Sequence, residues 1–278
     1  MLRLAPYRRS IVAIIEKRNA MHTPNQLCAD LSRLGIRAGD TVLMHASYRS
    51  LGGIEGGAAG FFHAFLDLLT PEGTLVLPAL SYAFVSKEQP VFDVRTTPVC
   101  PGVGYLPEFF RTQVAGAVRS LHPTHSCCMV GRHAAFLVEG HELDDTPVGP
   151  HSPFAKLPKL NGWILMLGCS ADRNTSMHGV EETAEPPYLL DRTERVRYIL
   201  RTYDGREIER CSWQHDFTLN GAHYEQRYSR ILPLLSADEL RRGKVLDADC
   251  VLMRASAVWQ KGHEMLLKDP FYFVDRPQ

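Results

Sequence analysis

A histidine and a glutamate three residues apart follow the end of an apolar run near the middle of the chain. Residues 163–167 (WILML) predict a buried strand, residues 168–174 a loop, and the residues from 175 onward a helix. His178 and Glu181 therefore fall one turn apart on one helix face. A carboxylate beside an imidazole can hold it in one tautomer and raise its basicity, as a general base requires. Taken alone, such a pair is more often a surface hydrogen bond than a catalytic dyad.

The elements that precede this pair alternate in the manner of α/β proteins. In chain order, the patterns predict a capped helix, a strand, a helix and a strand over residues 23–34, 41–44, 58–69 and 74–77. This alternation predicts an α/β fold. We expect its central sheet to be mixed, largely buried and flanked by helices. Functional loops should then lie at the carboxyl ends of strands, where residues 45–57 and 169–174 are placed.

The remainder of the chain carries further elements. Residues 81–104 are rich in proline and threonine and predict a long excursion over the surface. Alternating residues on both sides of Asp204-Gly205 predict a hairpin with a type I′ turn over residues 196–213. Ser236 and Glu239 have the spacing of a capping box, which predicts a helix start there.

A last helical pattern covers residues 256–267. Because we find no internal repeat and no low-complexity linker, we expect one domain over residues 1–278. We divide it into a core over residues 23–185 and a C-terminal part with a hairpin and helices over residues 186–278.

Composition restricts the partners. Lys and Arg total 31, as do Asp and Glu, so no net positive field favours nucleic acid and no basic helix favours a membrane surface. No apolar run approaches the length that spans a bilayer, and residues 1–9 lack the features of a signal peptide. The seven cysteines show no CxxC spacing and suit reduced thiols. We therefore expect a cytoplasmic protein with small-molecule partners, and we leave a homodimer open.

Three stretches carry glycine, histidine and serine in a particular order. They are residues 39–57 (GDTVLMHASYRSLGGIEGG), residues 119–126 (RSLHPTHS), and residues 149–181, from GPHSPFAKL through WILMLG to NTSMHGVE. In this order and at these spacings they resemble the aminoglycoside 3-N-acetyltransferase family, also called the antibiotic N-acetyltransferase family. The resemblance covers residues 23–185 well and the rest loosely. It implies the α/β fold of that family, and the pyrophosphate loop of the commoner GNAT acetyltransferases is absent from the sequence.

The resemblance also implies acylation of an amine with acetyl-CoA as co-substrate and with no metal. In the family, the His-Ala-Ser loop and the glycines after it lie along coenzyme A. Glycines let backbone N–H groups approach an amide arm or a pyrophosphate, and the helix that follows offers a positive N-terminus. The coenzyme A residues implied here are His45, Ala46, Ser47, Leu51, Gly52, Gly53, Gly56, Gly57 and Ser126.

For the catalytic groups, the resemblance implies His178 as the general base, Glu181 as its orienting carboxylate and His122 near the thioester. The sequence departs from the family pattern next to these motifs. Thr124 and His125 follow His-Pro where some resistance enzymes have aspartate, His151 replaces a usual glycine, and Glu182 begins an uncommon continuation. These positions bear on the acceptor. We expect an aminoglycoside or related amino sugar, with a nucleotide-linked amino sugar or another small biosynthetic amine as the alternative.

Three other hypotheses remain open from the sequence. Cys127, Cys128 or Cys169 could carry the acyl group in a thiol relay. A metal-dependent hydrolase is suggested by a histidine-rich middle, although no His-Glu-x-x-His motif is present. The histidines concerned are His122, His125, His133, His141, His151 and His178. The third hypothesis is a catalytically idle coenzyme A-binding protein on the same scaffold.

Overall fold

The first helix of the structure, a computed structural model that describes residues 21–275, has the predicted capping box. Helix α1 spans Pro24–Leu34. The Thr23 hydroxyl accepts the Gln26 N–H at 3.2 Å, and the Thr23 N–H donates to the Gln26 side chain at 2.7 Å. Gly35 ends the helix with a φ of 114°, which glycine adopts without strain. Residues 1–9, where the sequence argues against a signal peptide, lie outside the described range.

The predicted β-loop-α-β unit follows. Strand β1 spans Thr41–Ala46, helix α2 Gly57–Leu69 and strand β2 Thr74–Pro78, each within two residues of its predicted limits. The later helices are α3 Tyr105–Gln113, α4 Ala134–Val138, α5 Pro153–Lys156, α6 Ser176–Ala184 and α7 Ala255–Lys268. Short 3-10 helices cover Tyr48–Leu51, Pro101–Val103, His141–Leu143, Leu157–Leu160, Ala171–Arg173 and Tyr228–Leu234.

Within residues 21–275, the strands form one large sheet and three small ones. The later strands are β3 Val91–Asp93, β4 Val118–Arg119, β5 Cys127–Gly131, β6 Trp163–Leu167, β7 Leu190–Arg201, β8 Glu207–His215, β9 Thr218–Leu219, β10 Ala222–His223, β11 Glu225–Gln226, β12 Leu240–Val245, β13 Ala248–Arg254 and β14 Val274–Asp275. The large sheet has the order β12-β13-β6-β1-β2-β5-β4. Its centre, β6-β1-β2, is parallel and its outer pairs are antiparallel, which confirms the predicted mixed sheet.

Both faces of this sheet are buried. Successive side chains of a strand point to opposite faces. Accordingly Val42 and Met44 of β1 belong to a cluster that includes α1 and α2, whereas Leu43 belongs to a second cluster with α6 and α7. The sheet therefore lies between two helical layers. Within residues 21–275, no helix combines the length and the apolar character needed to cross a bilayer.

Two sequence predictions about turns were wrong. The hairpin β7–β8 forms, but of its two turn residues Gly205 alone has a positive φ, of 83°, whereas a type I′ turn requires both. Its hydrogen bonds, Gly205 N–H to Thr202 O at 3.0 Å and Thr202 N–H to Arg206 O at 2.9 Å, fit a type I turn followed by a left-handed glycine. The Asp204 carboxylate accepts the Arg206 guanidinium at 2.7 Å, which stabilises this arrangement.

The predicted helix at Ser236 is a single turn. Glu239 does reach back to the Ser236 N–H, at 2.8 Å, but the chain then enters β12 at Leu240. Pairing of β12 with β13 outweighs the local helix signal. The surface excursion at residues 81–104 is likewise more structured than expected, because β3 pairs in parallel with β7 and buries Phe92.

Candidate active site

The position of helix α6 is fixed at its first turn and along one side. The Thr175 N–H, at the start of the helix, donates to Nε2 of His45 at 3.1 Å, so the end of β1 holds the start of α6. On the side facing α7, Gly179 leaves no room for a side chain. A Cβ there would lie 2.5 Å from Cη2 of Trp259 and 2.7 Å from Cγ1 of Val148. These contacts set the direction in which His178 points.

His178 and Glu181 lie on one face of α6, as predicted, but a tyrosine stands between them. The His178 Nδ1 is 3.7 Å from the nearer Glu181 oxygen, beyond hydrogen-bond distance. Tyr228 bridges this gap, with its hydroxyl 2.8 Å from His178 Nδ1 and 2.6 Å from Glu181 Oε2. Tyr188 donates to the other carboxylate oxygen at 2.8 Å. The expected direct contact between the histidine and the glutamate is thus replaced by an indirect one.

The bridge selects one tautomer of His178. A hydroxyl that donates its proton to the buried carboxylate presents a lone pair to the imidazole. His178 Nδ1 then carries the hydrogen, and Nε2 keeps the free lone pair. Burial and the neighbouring Glu181 charge raise the pKa of Tyr228 well above its ordinary value, so the hydroxyl stays protonated. His178 is 17% exposed at its side chain and Glu181 is fully buried, so the imidazole is the member of the pair that meets solvent.

His178 faces a cavity of about 850 Å³ at the carboxyl ends of β1, β2 and β6. Its lining combines imidazoles, small backbone segments and aromatic rings. The polar members are His45, Ser47, Tyr82, Thr124, His125, Asp172, Arg173, Asn174, Thr175, His178, Gln214, His215, Gln226 and Tyr228. The apolar members include Met44, Ala46, Pro78, Leu80, Val103, Pro107, Pro147, Cys169 and Phe217. A cavity of this size at the ends of parallel strands suits a small-molecule site.

The three residues of the His-Ala-Ser loop all line this cavity. Burial, with a smaller contribution from His178, lowers the pKa of His45 to about 3, so its ring is neutral. The backbone amide of Ser47 is already used, because it donates to Leu167 O at 2.9 Å. An oxyanion in the cavity could therefore not receive that N–H.

The glycine loop that follows turns away from the cavity. Leu51 is fully buried in the core, and a Cβ on Gly52 would lie 2.4 Å from an Asp247 oxygen, near the end of β12. In the described part of the chain, the cavity lining contains none of Leu51, Gly52, Gly53, Gly56 and Gly57. Gly57 is the first residue of α2. A coenzyme A site over these glycines would therefore extend outside the cavity.

Ser126 and His122 are buried behind the cavity wall. Ser126 donates to Ala79 O at 2.8 Å and accepts from the Arg119 guanidinium at 2.9 Å. His122 Nδ1 accepts the backbone N–H groups of Thr124 and His125, at 3.3 and 3.0 Å. Burial lowers the pKa of His122 to about 3. His122 thus stabilises the turn that places His125 in the cavity. Among residues 21–275, the residues that line the cavity include neither His122 nor Ser126.

A second acid and histidine pair lies beside the first. His215 Nε2 is 2.8 Å from Glu182 Oε1, which also accepts the Val148 N–H at 2.8 Å. Burial raises the pKa of Glu182 to about 7. Burial also lowers the pKa of His215 and of His125 well below the ordinary value, with nearby histidines adding to the effect. His45, His125 and His215 therefore present neutral imidazoles to the cavity.

The cysteines named as relay candidates have unfavourable surroundings. Cys169 lines the cavity, and burial raises its pKa to about 11. Burial raises the pKa of Cys128 to about 12, and it also raises the pKa of Cys127 well above its ordinary value. A thiol must ionise to act as a nucleophile, so these groups are poorly suited to carry an acyl group at neutral pH.

Tyr228, Tyr188 and His215 were missed by sequence reasoning. They lie 50, 10 and 37 positions after His178 and belong to no motif with it. The only available signal was composition, since tyrosine and histidine recur in the C-terminal part that the sequence resemblance covers loosely. The end of β8 brings His215 to α6, and the 3-10 helix Tyr228–Leu234 brings Tyr228. Tyr188 lies in the segment between α6 and β7.

Comparison with known proteins shows the family of this chain. The sequence model of the aminoglycoside 3-N-acetyltransferase family matches residues 43–267. The aminoglycoside N(3)-acetyltransferase III of Pseudomonas aeruginosa is 34% identical over 257 residues, which cover 85% of this chain and 90% of that protein. Among solved structures, a binary complex of AAC-IIIb with CoASH superposes with a TM-score of 0.78 at 27% identity, covering 93% of this chain and 100% of that one.

A structure of AAC-VIa bound to sisomicin is also similar, with a TM-score of 0.73 at 26% identity over 90% of this chain and 98% of that one. The family match alone spans more than half of the sequence. From the match, the shared fold and the placement of the His-Ala-Ser loop beside His178, we conclude that the chain belongs to the aminoglycoside 3-N-acetyltransferase family and is an N-acetyltransferase.

Proposed function

We propose that this protein transfers the acetyl group of acetyl-CoA to an amino group of an aminoglycoside or related amino sugar, with His178 as the general base. The observation that carries the proposal is the contact of His178 Nδ1 with Tyr228, which leaves the opposite ring nitrogen free at the cavity. A base needs a free lone pair within reach of the proton that it removes.

In the proposed reaction, Nε2 of His178 takes a proton from the bound amine. The amine nitrogen attacks the thioester carbonyl carbon, an N–C bond forms, and the C–S bond breaks. The coenzyme A thiolate then receives the proton from His178, so the products are the amide and the free thiol. The Tyr228 hydroxyl connects Glu181 to the imidazole by hydrogen bonds, so the carboxylate stabilises the imidazolium as it forms. A carboxylate has the same stabilising role in a catalytic triad.

The cavity and the relatives support this choice of acceptor. AAC-VIa was solved with sisomicin, and the P. aeruginosa relative is named for aminoglycosides. In this chain Asp172 supplies a carboxylate to the cavity lining, whereas Arg173 supplies a guanidinium. The buried Glu182 is already paired with His215. The guanidinium supports a second candidate, an amino sugar that carries an anionic group such as a nucleotide.

A free-thiol assay with acetyl-CoA tests both acceptor classes. Wild-type protein should release coenzyme A thiol with an aminoglycoside panel, and activity confined to nucleotide-linked amino sugars would favour the second candidate. His178→Ala should lower turnover by about two orders of magnitude or more while coenzyme A still binds. His63→Asn is the matched control, since that imidazole lies exposed on α2. Undiminished turnover in His178→Ala would remove the assignment of the base.

Two further results would redirect the proposal. Thermal stabilisation by acetyl-CoA without turnover on either panel would indicate a binding protein on this scaffold. Ping-pong initial-rate patterns would indicate a covalent acyl intermediate, whereas the proposed direct attack requires a ternary complex.

A further inference from the structure

Three imidazoles converge on the cavity from three separate segments of the chain. His125 follows the His-Pro turn, His178 lies on α6 and His215 ends β8. One ring nitrogen of each lies within 4.8 Å of those of the other two. The ring centroids of His178 and His215 are 4.8 Å apart, and those of His125 and His215 are 5.2 Å apart. All three residues line the cavity.

The other nitrogen of each ring is held by an oxygen. His125 Nδ1 lies 2.9 Å from the Thr124 hydroxyl, His178 Nδ1 lies 2.8 Å from the Tyr228 hydroxyl, and His215 Nε2 lies 2.8 Å from Glu182. These partners leave Nε2 of His125, Nε2 of His178 and Nδ1 of His215 as the nitrogens available to a ligand. An imidazole whose second nitrogen bonds to an oxygen is the usual arrangement of histidines that bind metals.

We propose that these three nitrogens form a site for one divalent transition-metal ion, for which Zn²⁺ is the best fit. Imidazole nitrogens favour zinc and its neighbours over Mg²⁺ or Ca²⁺. Three protein ligands leave a fourth tetrahedral position, here directed to the cavity. Zinc–nitrogen distances of about 2.0–2.1 Å place tetrahedral ligand atoms about 3.3 Å apart. Ring nitrogens that lie within 4.8 Å of one another must therefore approach by about 1.5 Å at most. Side-chain rotation can supply that movement.

Occupation of this site has a consequence for acetyl transfer. The metal ion would use the same lone pair of His178 that the proposed reaction uses to take a proton from the amine. The metal-bound form is therefore inactive, and the amine acceptor and the ion exclude each other. This consequence rests on the proposed function, whereas binding of the ion does not.

Cobalt(II) is a spectroscopic probe of the site that does not depend on activity. Protein without a histidine tag, first treated with EDTA and dialysed, is titrated with Co²⁺ while its visible absorption is recorded. We expect the intense bands of a tetrahedral ion to saturate at one equivalent and to disappear when Zn²⁺ is added. Affinity should fall at least about tenfold in His125→Asn and His215→Asn, and about 10- to 100-fold in Glu182→Gln, which removes the carboxylate that holds His215.

His63→Asn is the matched control, because it removes an exposed imidazole that also has a carboxylate beside it, at 3.4 Å. It should leave the titration unchanged. If a ligand variant unfolds, as judged by circular dichroism, the cobalt titration of Glu182→Gln and the wild-type stoichiometry still test the metal site. Absence of the bands in wild type, or equal affinity in wild type, His125→Asn and His215→Asn, would overturn the site.

The acetylation assay separates this inference from the proposed function. We expect Zn²⁺ to inhibit thiol release, EDTA to restore it, and a higher amine concentration to weaken the inhibition. An inactive protein that still gives the cobalt spectrum would contradict the proposed function and support the metal site. An active protein without the cobalt spectrum would support the proposed function and contradict the metal site.

Discussion

The Tyr228 hydroxyl lies nearer to the ring of His178 than Glu181 does, although Glu181 shares a helix with His178. The hydroxyl is 2.8 Å from Nδ1, whereas the nearer Glu181 oxygen is 3.7 Å away. Since the same hydroxyl donates to Glu181 at 2.6 Å, the carboxylate acts on the histidine through the tyrosine. We therefore regard Glu181 and Tyr228 as positioning residues for His178.

Tyr228→Phe should separate catalysis from packing. Without the hydroxyl, His178 loses the partner that fixes its tautomer, so kcat should fall about 10- to 100-fold while the KM for acetyl-CoA changes little. Loss of a donor to the buried Glu181 should also cost about 1–3 kcal/mol of unfolding free energy. Steady-state kinetics and urea unfolding measure the two effects.

Tyr188→Phe is the matched control for that variant. Tyr188 donates to the same carboxylate at 2.8 Å but does not bridge to His178. It should lower stability by a similar amount and reduce kcat much less. Equal losses of kcat in the two variants would mean that the carboxylate, and not the bridge, is what His178 requires.

Stability should decrease on acidification. Burial lowers the pKa of His122 to about 3, from an ordinary value of 6.5. Below pH 6.5 the unfolded chain gains a proton that the folded protein does not accept until about pH 3, so the stability present above pH 6.5 is lost as the pH falls through this window. His45, His125, His141 and His215 share the direction. Glu182, with its raised pKa, opposes it between about pH 4.5 and 7.

His122→Asn tests this expectation, because an amide oxygen can still accept the backbone N–H groups of the turn. Between pH 6 and 4, the unfolding free energy of the variant should depend on pH less steeply than that of wild type, by up to about 1.4 kcal/mol per pH unit. His63→Asn, at an exposed position, should match the wild-type slope. Identical slopes in all three proteins would show that His122 is not neutral in the fold.

Cys169→Ala should retain activity. The thiol lines the cavity, but burial raises its pKa to about 11, so about one thiol in 10⁴ is ionised at pH 7. We expect initial rates within about threefold of wild type, since removing an inert thiol changes only packing. A loss of 100-fold together with ping-pong kinetics would support the acyl relay.

Gly179→Ala should reduce activity although alanine favours a helix by about 1 kcal/mol. The added methyl group would lie 2.5 Å from Trp259 and 2.7 Å from Val148. The helix must shift, which should cost about 1–3 kcal/mol and displace His178, the adjacent residue. Thermal unfolding and kcat should therefore both decrease. A stabilised, fully active variant would show that α6 can move without effect on the base.

Sequence patterns predicted those parts of the molecule whose cause is local. The capping box of α1, the apolar strands β1 and β6 and the spacing of His178 and Glu181 each depend on a few adjacent residues. The mixed sheet also followed from the order of elements and from the resemblance. The predicted helix at Ser236 was wrong because the pairing of Leu240 with Met253, 13 residues later, overrode a correct local hydrogen bond.

What could not be predicted depends on distant contacts. Tyr228 meets His178 across 50 positions, and His215 meets Glu182 across 33. The convergence of His125, His178 and His215 requires a loop, a helix and a strand to be placed together. Local patterns contain no information about such distances, and the motifs that carry the resemblance do not extend to Tyr228 or His215.

The division of the site between α6 and the later segments affects how the enzyme matures. During synthesis His178 and Glu181 leave the ribosome well before Tyr228, so Glu181 has no hydroxyl from that residue until the later segment has emerged and docked. A buried, charged carboxylate without its donors is unfavourable, which should keep this region open until then. Acetyl transfer would consequently appear only in fully folded molecules, and partly folded or truncated chains would be inactive in the cell.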